Sequence, residues 1–316
     1  MTDILTSDTV ASVSLNDADR EPQAFAQELG QSFVDYGFAI VRDHGIPQDL
    51  IDRAEAKAKL FFALPEAVKR AYLIPGGGGA RGYTAFGVET AKGGTASDLK
   101  EFWHVGRELG AGHQFREMMA DNVWPTEISG FKETFLELYD AFDAAGLKVL
   151  RAIARFLHVD EEYFTDTVRD GNSVMRLLHY PPQSEPTGNH IRAGVHEDIN
   201  TITLLIGAEE AGLELQTRDG RWLAVSPKPG ELVVNIGDML QRLTNGRLRS
   251  TSHRVVNPAP DRASNARYSM PFFLHFRPDF IIEALPGTVP AGEAPKWPPM
   301  SSHDYLQERL REIKLA

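Results

Sequence analysis

The repeat pattern of the chain changes after residue 172, and this change limits the possible folds more than any other feature. Apolar and polar residues there alternate in short runs separated by turn signals, at 173–180, 201–206, 213–217, 222–225, 231–236, 251–256 and 268–276. A period of two is typical of strands with one buried face. Residues 218–221, Arg-Asp-Gly-Arg, indicate a hairpin turn. Several such strands in succession predict a closed or double-sheet β core.

The chain before residue 172 is mostly helical in pattern. Phe25, Leu29 and Phe33 recur every four positions, which predicts an amphipathic helix over about 22–36. Similar stripes predict helices over about 48–64, 131–156 and 303–313, with a short strand at 38–41. Residues 1–20 are polar and are expected to be extended or poorly ordered. The expected fold class is mainly β with flanking helices (α+β).

A metal site is predicted at His196-Glu197-Asp198. If this segment is extended, the two-residue period puts His196 and Asp198 on one face. A third ligand must come from elsewhere, and His253, in a strand-like run, is the best candidate. Two imidazoles and one carboxylate leave three octahedral positions open, the geometry of non-haem Fe(II) oxygenases.

Arg267 and Ser269 share a strand face by the same two-residue period. A guanidinium beside a hydroxyl is a good receptor for one carboxylate, because it binds through charge-assisted, bidentate hydrogen bonds. An open metal face with such a clamp downstream suits a keto acid that chelates iron at one end and is held at the other.

With these motifs the chain resembles the isopenicillin N synthase-like 2-oxoglutarate/Fe(II) oxygenases over roughly residues 22–290. The resemblance lies in segments 36–46, 98–101, 176–182 and 230–255, of which the last is the most specific. It implies a double-stranded β-helix (jelly roll) core wrapped by N-terminal and middle helices. The corresponding regions are an N-terminal helical and strand region (1–115), helical support (116–170), the catalytic core (171–290) and a C-terminal helix (291–316).

The same resemblance implies which residues bind which group. Fe(II) would be held by His196, Asp198 and His253. The co-substrate 2-oxoglutarate would be held by Arg267, Ser269 and Tyr180, with O2 as the oxidant. Many members of the family carry Asn where this chain has Leu178, and segment 257–265 is longer than usual, which leaves the register of Arg267 open.

Five further residues are candidates for contact with the prime substrate. They are Arg176, Tyr83, His104, Phe273 and His275. Arg176 could bind a substrate carboxylate or form an internal ion pair, and for Tyr83 and Phe273 core packing is the commoner role. Asp98, Lys100 and Glu101 are expected to form a structural ion-pair cluster rather than an acid–base pair.

The glycine-rich segment 76–82 matches the spacing of a dinucleotide-binding fingerprint. That fingerprint requires a buried strand before it and a helix opening within it. Pro75 precedes the segment and Tyr83-Thr84-Ala85 follows, so neither is indicated. We therefore predict a loop, which the resemblance locates near the mouth of the substrate cavity.

Composition excludes several function classes. The formal net charge is -11 at pH 7, which opposes non-specific binding to nucleic acid or anionic lipid. The chain has no cysteine, so disulfides, thiolate metal sites and a cysteine nucleophile are excluded. The N-terminus lacks the pattern of a secretory signal, and no apolar run could span a bilayer. We expect a cytoplasmic protein with a small-molecule substrate; the oligomeric state cannot be predicted.

Three functions are compatible with these residues. The favoured one is an Fe(II)- and 2-oxoglutarate-dependent oxygenase that oxidises a C–H bond of a small organic substrate, by hydroxylation or desaturation, with release of succinate and CO2. An isopenicillin N synthase or aminocyclopropane-carboxylate oxidase type of enzyme would use Arg267 and Ser269 for another carboxylate. A non-catalytic metal- or ligand-binding β protein is disfavoured, because structural metal sites are usually closed.

Overall fold

The computed structural model describes residues 9–77, 79–89, 97–183, 191–206 and 212–312. The helices are α1 (Asp17–Arg20), α2 (Pro22–Asp35), α3 (Gln48–Phe62), α4 (Glu66–Arg70), α5 (Phe131–Leu157), α6 (Tyr163–Val168), α7 (Asp238–Leu243) and α8 (Ser302–Glu312). The strands are β1 (Ser12–Ser14), β2 (Phe38–Arg42), β3 (Gly82–Thr84), β4 (Glu101–Gly106), β5 (Val174–Tyr180), β6 (Ala193–His196), β7 (Ile202–Ile206), β8 (Leu213–Gln216), β9 (Trp222–Ala224), β10 (Leu232–Ile236), β11 (His253–Val255), β12 (Arg267–Leu274), β13 (Ile281–Ile282) and β14 (Met300–Ser301).

Two β-sheets form the centre of the molecule. The major sheet has the order β1-β2-β10-β7-β12-β5-β4-β3, and the minor sheet has the order β6-β11-β8-β9. β1 is parallel to β2, and the other paired strands are antiparallel. The predicted α+β class, with a double-sheet core and flanking helices, is confirmed.

Apolar clusters join the inner faces of the two sheets. Phe38 and Val233 of the major sheet pack with Leu213 and Leu215 of the minor sheet. A second cluster joins Phe102, Leu178 and Tyr180 to Ala193 and Val255. Burial of these side chains holds the sheets face to face, at roughly 1.5–3 kcal/mol for each large side chain.

Helix α5 covers the outer face of the major sheet. Its Phe142 ring stacks on Phe272 of β12 with 5.3 Å between centroids. Gly146 interrupts the apolar stripe of α5 because a Cβ there would overlap the side chain of Leu274. The glycine therefore lets the helix approach the sheet closely, and α2 and α3 pack against α5 in turn.

The inner face of the major sheet carries polar side chains in alternate positions. In β12, Met270, Phe272 and Leu274 face the helical core, so Arg267 and Ser269 face the minor sheet. The same alternation puts Arg176 and Tyr180 of β5 on the inner face.

Several short elements lie where the sequence predicts none. Residues 12–14, in a segment expected to be extended or poorly ordered, pair with β2 as a parallel edge strand. β3 pairs with β4 directly after the glycine-rich segment. In the described ranges, no helix is both long and apolar enough to cross a membrane.

Candidate metal centre and cavity

His196, Asp198 and His253 converge at the edge where β6 meets β11. His253 is paired with His196 across the two strands. The Nε2 atoms of His196 and His253 lie 3.9 Å and 3.8 Å from Asp198 Oδ1. β6 ends at His196, so Asp198 lies in the turn that follows and not on the strand. That turn brings the carboxylate between the two rings.

Backbone carbonyls orient both imidazoles. His196 Nδ1 donates to the carbonyl of Gly194 at 2.7 Å, and His253 Nδ1 donates to the carbonyl of Thr251 at 3.0 Å. Because the proton is on Nδ1 in each ring, the Nε2 lone pair is directed at the space beside Asp198. Such contacts fix the tautomer of metal-binding histidines.

One carboxylate oxygen of Asp198 is held by hydrogen bonds, and the other faces the two histidines. Its Oδ2 atom accepts hydrogen bonds from Thr203 Oγ1 at 2.5 Å and from Asn235 Nδ2 at 2.8 Å. Its backbone carbonyl accepts from the Asp238 N–H at 2.7 Å. These contacts leave Oδ1 facing the two imidazoles.

The protonation states suit a divalent cation. Burial and the neighbouring His253 lower the pKa of His196 to about 4, so its ring is neutral near pH 7. Burial alone would raise the pKa of Asp198, but the two imidazoles and the hydrogen bonds from Asn235 and Thr203 lower it below its usual value. The two imidazoles and the one carboxylate form the donor set of a facial triad.

The three candidate 2-oxoglutarate residues lie together on the inner face of β5 and β12. Arg267 is the register partner of Tyr180, and its guanidinium carbon lies 5.1 Å from the centre of the tyrosine ring. Ser269 is opposite Leu178 on the same strand pair. Arg267, Ser269 and Tyr180 are all buried. The long 257–265 segment therefore leaves the predicted register unchanged, and Leu178 contributes an apolar wall.

A cavity of about 610 Å³ opens onto the candidate metal ligands. His196 and Asp198 line it, and Leu306, Arg309 and Leu310 of α8 form its outer wall. α8 is tied to the site through Tyr305, which donates to Asp238 Oδ2 at 3.1 Å. A volume of this size is typical of small-molecule sites.

Four of the five candidate substrate residues line this cavity. They are Arg176, His104, Phe273 and His275. Tyr83 does not, because the β3–β4 register pairs it with Trp103 on the helical side of the sheet. It packs there against Phe61 and donates to Glu101. The expectation of Tyr83 as a cavity residue is corrected to core packing.

Part of the charged cavity wall is not indicated by the sequence pattern. Lys100 Nζ lies 2.7 Å from Glu89 Oε2 and 2.8 Å from Asp98 Oδ2. Lys100 and Asp98 of the predicted ion-pair cluster are therefore paired, but Glu101 pairs with Lys69 and His179 instead. Lys100, Asp98 and Glu89 also line the cavity. Lys100 lies four residues before His104 of β4, so the two-residue strand period puts both side chains on one face and would have identified Lys100 as a cavity residue. Glu89 lies in no alternating run and gave no periodic signal.

Thr203 and Asn235, which hold Asp198, were also missed. Each is the one polar residue in an otherwise apolar strand, β7 and β10 respectively. A buried polar side chain in such a strand needs a hydrogen-bond partner. That rule is a usable sequence signal for residues that orient a metal ligand.

Two facing sheets with two imidazoles and one carboxylate between them define the class of non-haem Fe(II) oxygenases. Residues 171–276 match the profile of the 2OG-Fe(II) oxygenase superfamily, and residues 10–127 match that of the N-terminal region of non-haem dioxygenases in morphine synthesis.

Relatives match over nearly the whole chain. The 2-oxoglutarate-Fe(II) type oxidoreductase hxnY of Emericella nidulans is 36% identical over 90% of this chain and 84% of the relative. A 2OG-Fe(II) oxygenase family protein from Caulobacter crescentus is 54% identical, with a TM-score of 0.90 over 96% of this chain and 99% of that one. A full-length Neurospora crassa protein, solved in complex with alpha-KG and thymine, is 31% identical, with a TM-score of 0.87 over 97% and 98%.

The chain belongs to the 2OG-Fe(II) oxygenase superfamily. Its double-sheet core is the jelly roll of that family, and the resemblance to the isopenicillin N synthase-like oxygenases is confirmed. The protein is an Fe(II)- and 2-oxoglutarate-dependent dioxygenase that uses O2 as co-substrate. The 2-oxoglutarate-independent alternative is not favoured, because the Neurospora neighbours bind alpha-KG.

Proposed function

We propose that His196, Asp198 and His253 bind the Fe(II) of this oxygenase, and that the adjoining cavity takes a small organic molecule whose C–H bond is oxidised. The observation that carries the proposal is the approach of both Nε2 atoms to within 3.9 Å of Asp198 Oδ1. Iron bound there, with 2-oxoglutarate and O2, supplies the oxidising chemistry, and 2-oxoglutarate leaves as succinate and CO2.

Arg267, Ser269 and Tyr180 are proposed to hold the 2-oxoglutarate carboxylate that is remote from iron. The Arg267 guanidinium offers a planar pair of donors for that carboxylate, and the Ser269 and Tyr180 hydroxyls can each donate a further hydrogen bond. All three side chains are at most 5% exposed, and exclusion of water strengthens such charge-assisted bonds.

In the reaction, the protein itself orients the proposed metal ligands and excludes water from the carboxylate site. Thr203 and Asn235 fix the Asp198 carboxylate, and the backbone carbonyls fix the histidine tautomers. The apolar cluster of Phe102, Leu178 and Val255 keeps water from the carboxylate clamp.

A small-molecule substrate is supported by the cavity volume of about 610 Å³. It is also supported by relatives: the Neurospora crassa protein was solved with thymine, and the proline hydroxylase buaE of Petromyces alliaceus is 33% identical over 94% of this chain. The choice between hydroxylation and desaturation depends on the substrate itself.

Succinate formation tests the proposal directly. The purified protein, incubated aerobically with Fe(II) and 2-oxoglutarate, is expected to release succinate slowly even without a prime substrate. His253→Ala should abolish this release, while Arg277→Lys, which alters an exposed ion pair with Asp279, should leave it unchanged. Equal release by the wild type and His253→Ala would contradict the assignment, and a complete lack of release by the wild type would support a non-catalytic protein.

A further inference from the structure

Arg176 is the central group of the inner cavity wall. Its Nε donates to His104 Nε2 at 2.6 Å, and its Nη1 lies 3.2 Å from Glu89 Oε2. The guanidinium carbon lies 4.3 Å from the centre of the Phe102 ring and 5.4 Å from that of Phe273. These contacts hold the guanidinium in one orientation. They use two of its five N–H donors, and the side chain remains 16% exposed.

The positive charge of Arg176 is balanced by a carboxylate of the same cavity wall. Glu89 contacts both Arg176 and Lys100, and Lys100 also contacts Asp98. The cluster therefore contains two cations and two carboxylates. Burial alone would raise the pKa of Glu89, but Arg176 and Lys100 lower it well below its usual value, so the carboxylate stays charged.

The described cavity lining as a whole has no excess of cations. The cations are Arg81, Lys100, Arg176 and Arg309. The carboxylates besides Asp198 are Glu89, Asp98, Glu197, Asp238 and Glu312. An anionic substrate would add uncompensated negative charge to a largely buried site, which is costly.

His275 supplies a hydrogen-bond acceptor to the same cavity that Arg176 lines. Its Nδ1 donates to the carbonyl of Phe273 at 3.0 Å, so the proton is on Nδ1. Burial lowers the pKa of His275 to about 4, so the ring is neutral near pH 7 and its Nε2 accepts. The half-buried Phe273 ring lies next to the Arg176 guanidinium and lines the same cavity.

We propose that the prime substrate is a neutral, planar molecule with an amide or lactam group, bound by Arg176 and His275 and stacked on Phe273. Its carbonyl oxygen accepts from Arg176, its N–H donates to His275 Nε2, and its ring covers Phe273. This inference rests on the proposed function and deepens it. It decides between the two roles considered for Arg176. The arginine forms an internal ion pair with Glu89 and donates to a neutral carbonyl oxygen, and it does not bind a substrate carboxylate.

Matched amide and carboxylate probes test the substrate class. Nicotinamide and nicotinate, benzamide and benzoate, and the lactams uracil, thymine and 2-pyridone are compared for stimulation of succinate release. At least one amide or lactam is expected to stimulate release, and more strongly than any carboxylate. Stronger stimulation by the carboxylates overturns the proposal, and so does a lack of stimulation by every neutral probe.

A charge-removing variant tests the role of the ion pair. Glu89→Gln leaves Arg176 without its carboxylate partner, and we expect the preference between paired probes to shift towards the carboxylate by about tenfold or more. Glu137→Gln, which alters an exposed pair with Arg53, is the matched control and should shift nothing. An unchanged preference in Glu89→Gln contradicts the proposal.

Failure of this inference can be distinguished from failure of the proposed function. Succinate release without any prime substrate depends on the metal and 2-oxoglutarate residues alone. If that release persists in Glu89→Gln and the variant's preference between amide and carboxylate probes is that of the wild type, only the substrate inference fails. If release is absent in the wild type, the proposed function fails as well.

Discussion

Asp198 is the residue on which the geometry of the site depends most. Two strands hold its Oδ2 atom, through Thr203 on β7 and Asn235 on β10. The carboxylate cannot rotate without breaking both hydrogen bonds, so Oδ1 stays directed at the histidines. Groups that orient a ligand in this way influence metal affinity although they do not touch the metal.

Thr203→Val removes one of these hydrogen bonds with little change in side-chain shape. We expect the Fe(II) concentration for half-maximal succinate release to rise about 10- to 100-fold. Thr203→Ser keeps the hydroxyl and is expected to resemble the wild type. The check is succinate release as a function of Fe(II) at saturating 2-oxoglutarate, and equal half-saturation for Thr203→Val and the wild type would refute the positioning role.

Arg267→Lys tests the carboxylate clamp. Lysine retains the charge but loses the planar pair of donors, so the KM for 2-oxoglutarate should rise about tenfold or more. The Fe(II) dependence should remain that of the wild type. Arg277→Lys is the matched control at an exposed site, and an unaltered KM in Arg267→Lys would remove Arg267 from the 2-oxoglutarate site.

At the scale of elements, the junction of β10 and α7 sets the position of the Asp198 turn. The N–H of Gly237 donates to the carbonyl of Thr201, and that of Asp238 donates to the carbonyl of Asp198. The two segments lie so close that a Cβ on Gly237 would overlap the carbonyl of Asn200. A glycine is therefore required where the end of β10 contacts the turn that carries Asp198.

Gly237→Ala should push these segments apart. We expect a loss of about 1–3 kcal/mol in the free energy of unfolding, together with weaker Fe(II) binding because Asp198 moves with its turn. Gly110→Ala is the control, since a Cβ at Gly110 meets no atom within 4 Å. Denaturant unfolding of the metal-free proteins measures the first effect, and a Gly237→Ala protein as stable as Gly110→Ala would contradict this reading.

At the scale of the whole molecule, two buried histidines make folding sensitive to acid. Burial lowers the pKa of His275 to about 4, and burial with the nearby Arg176 lowers that of His104 well below its usual value. Both rings are protonated in the unfolded chain below about pH 6.5. The unfolded state then binds more protons than the folded state, so stability falls as the pH is lowered from about 6.5 towards 4.

His275 alone should cost the metal-free protein about 2 kcal/mol of stability between about pH 6.5 and pH 5. Urea unfolding at the two pH values measures this loss. His275→Asn lacks the titrating ring, so its stability should depend less on pH by that amount. Identical pH dependence in the variant and the wild type would show that His275 is not buried as a neutral ring.

The sequence was most informative where periodicity is strong. The period-two runs located most strands of the jelly roll, and the four-residue stripes located α2, α3 and α5, because these patterns follow directly from which face is buried. β1 and β3 were not predicted as strands, whereas the equally short β9 and β11 were, because those two belong to segments with a strand-like pattern. The formation of β1 and β3 depends on pairing with β2 and β4, which is a tertiary effect.

The site was predictable to a similar degree. The His196, Asp198 and His253 set could be inferred because the metal needs those residue types at that spacing. Tyr83 remained a candidate for either the cavity or the core, because the sequence does not give the strand register that decides which face a residue occupies. Glu89 and the wall formed by α8 come from segments remote in sequence, and no local pattern announces their contact with the cavity.

Anaerobic titration of the protein with Fe(II) in the presence of 2-oxoglutarate tests the central claim most directly. The claim is that His196, Asp198 and His253 bind one iron and leave room for the keto acid. It predicts a weak visible charge-transfer band that saturates at one Fe(II) per chain in the wild type and is absent in His253→Ala. No band in the wild type, or the same band in His253→Ala, would contradict it.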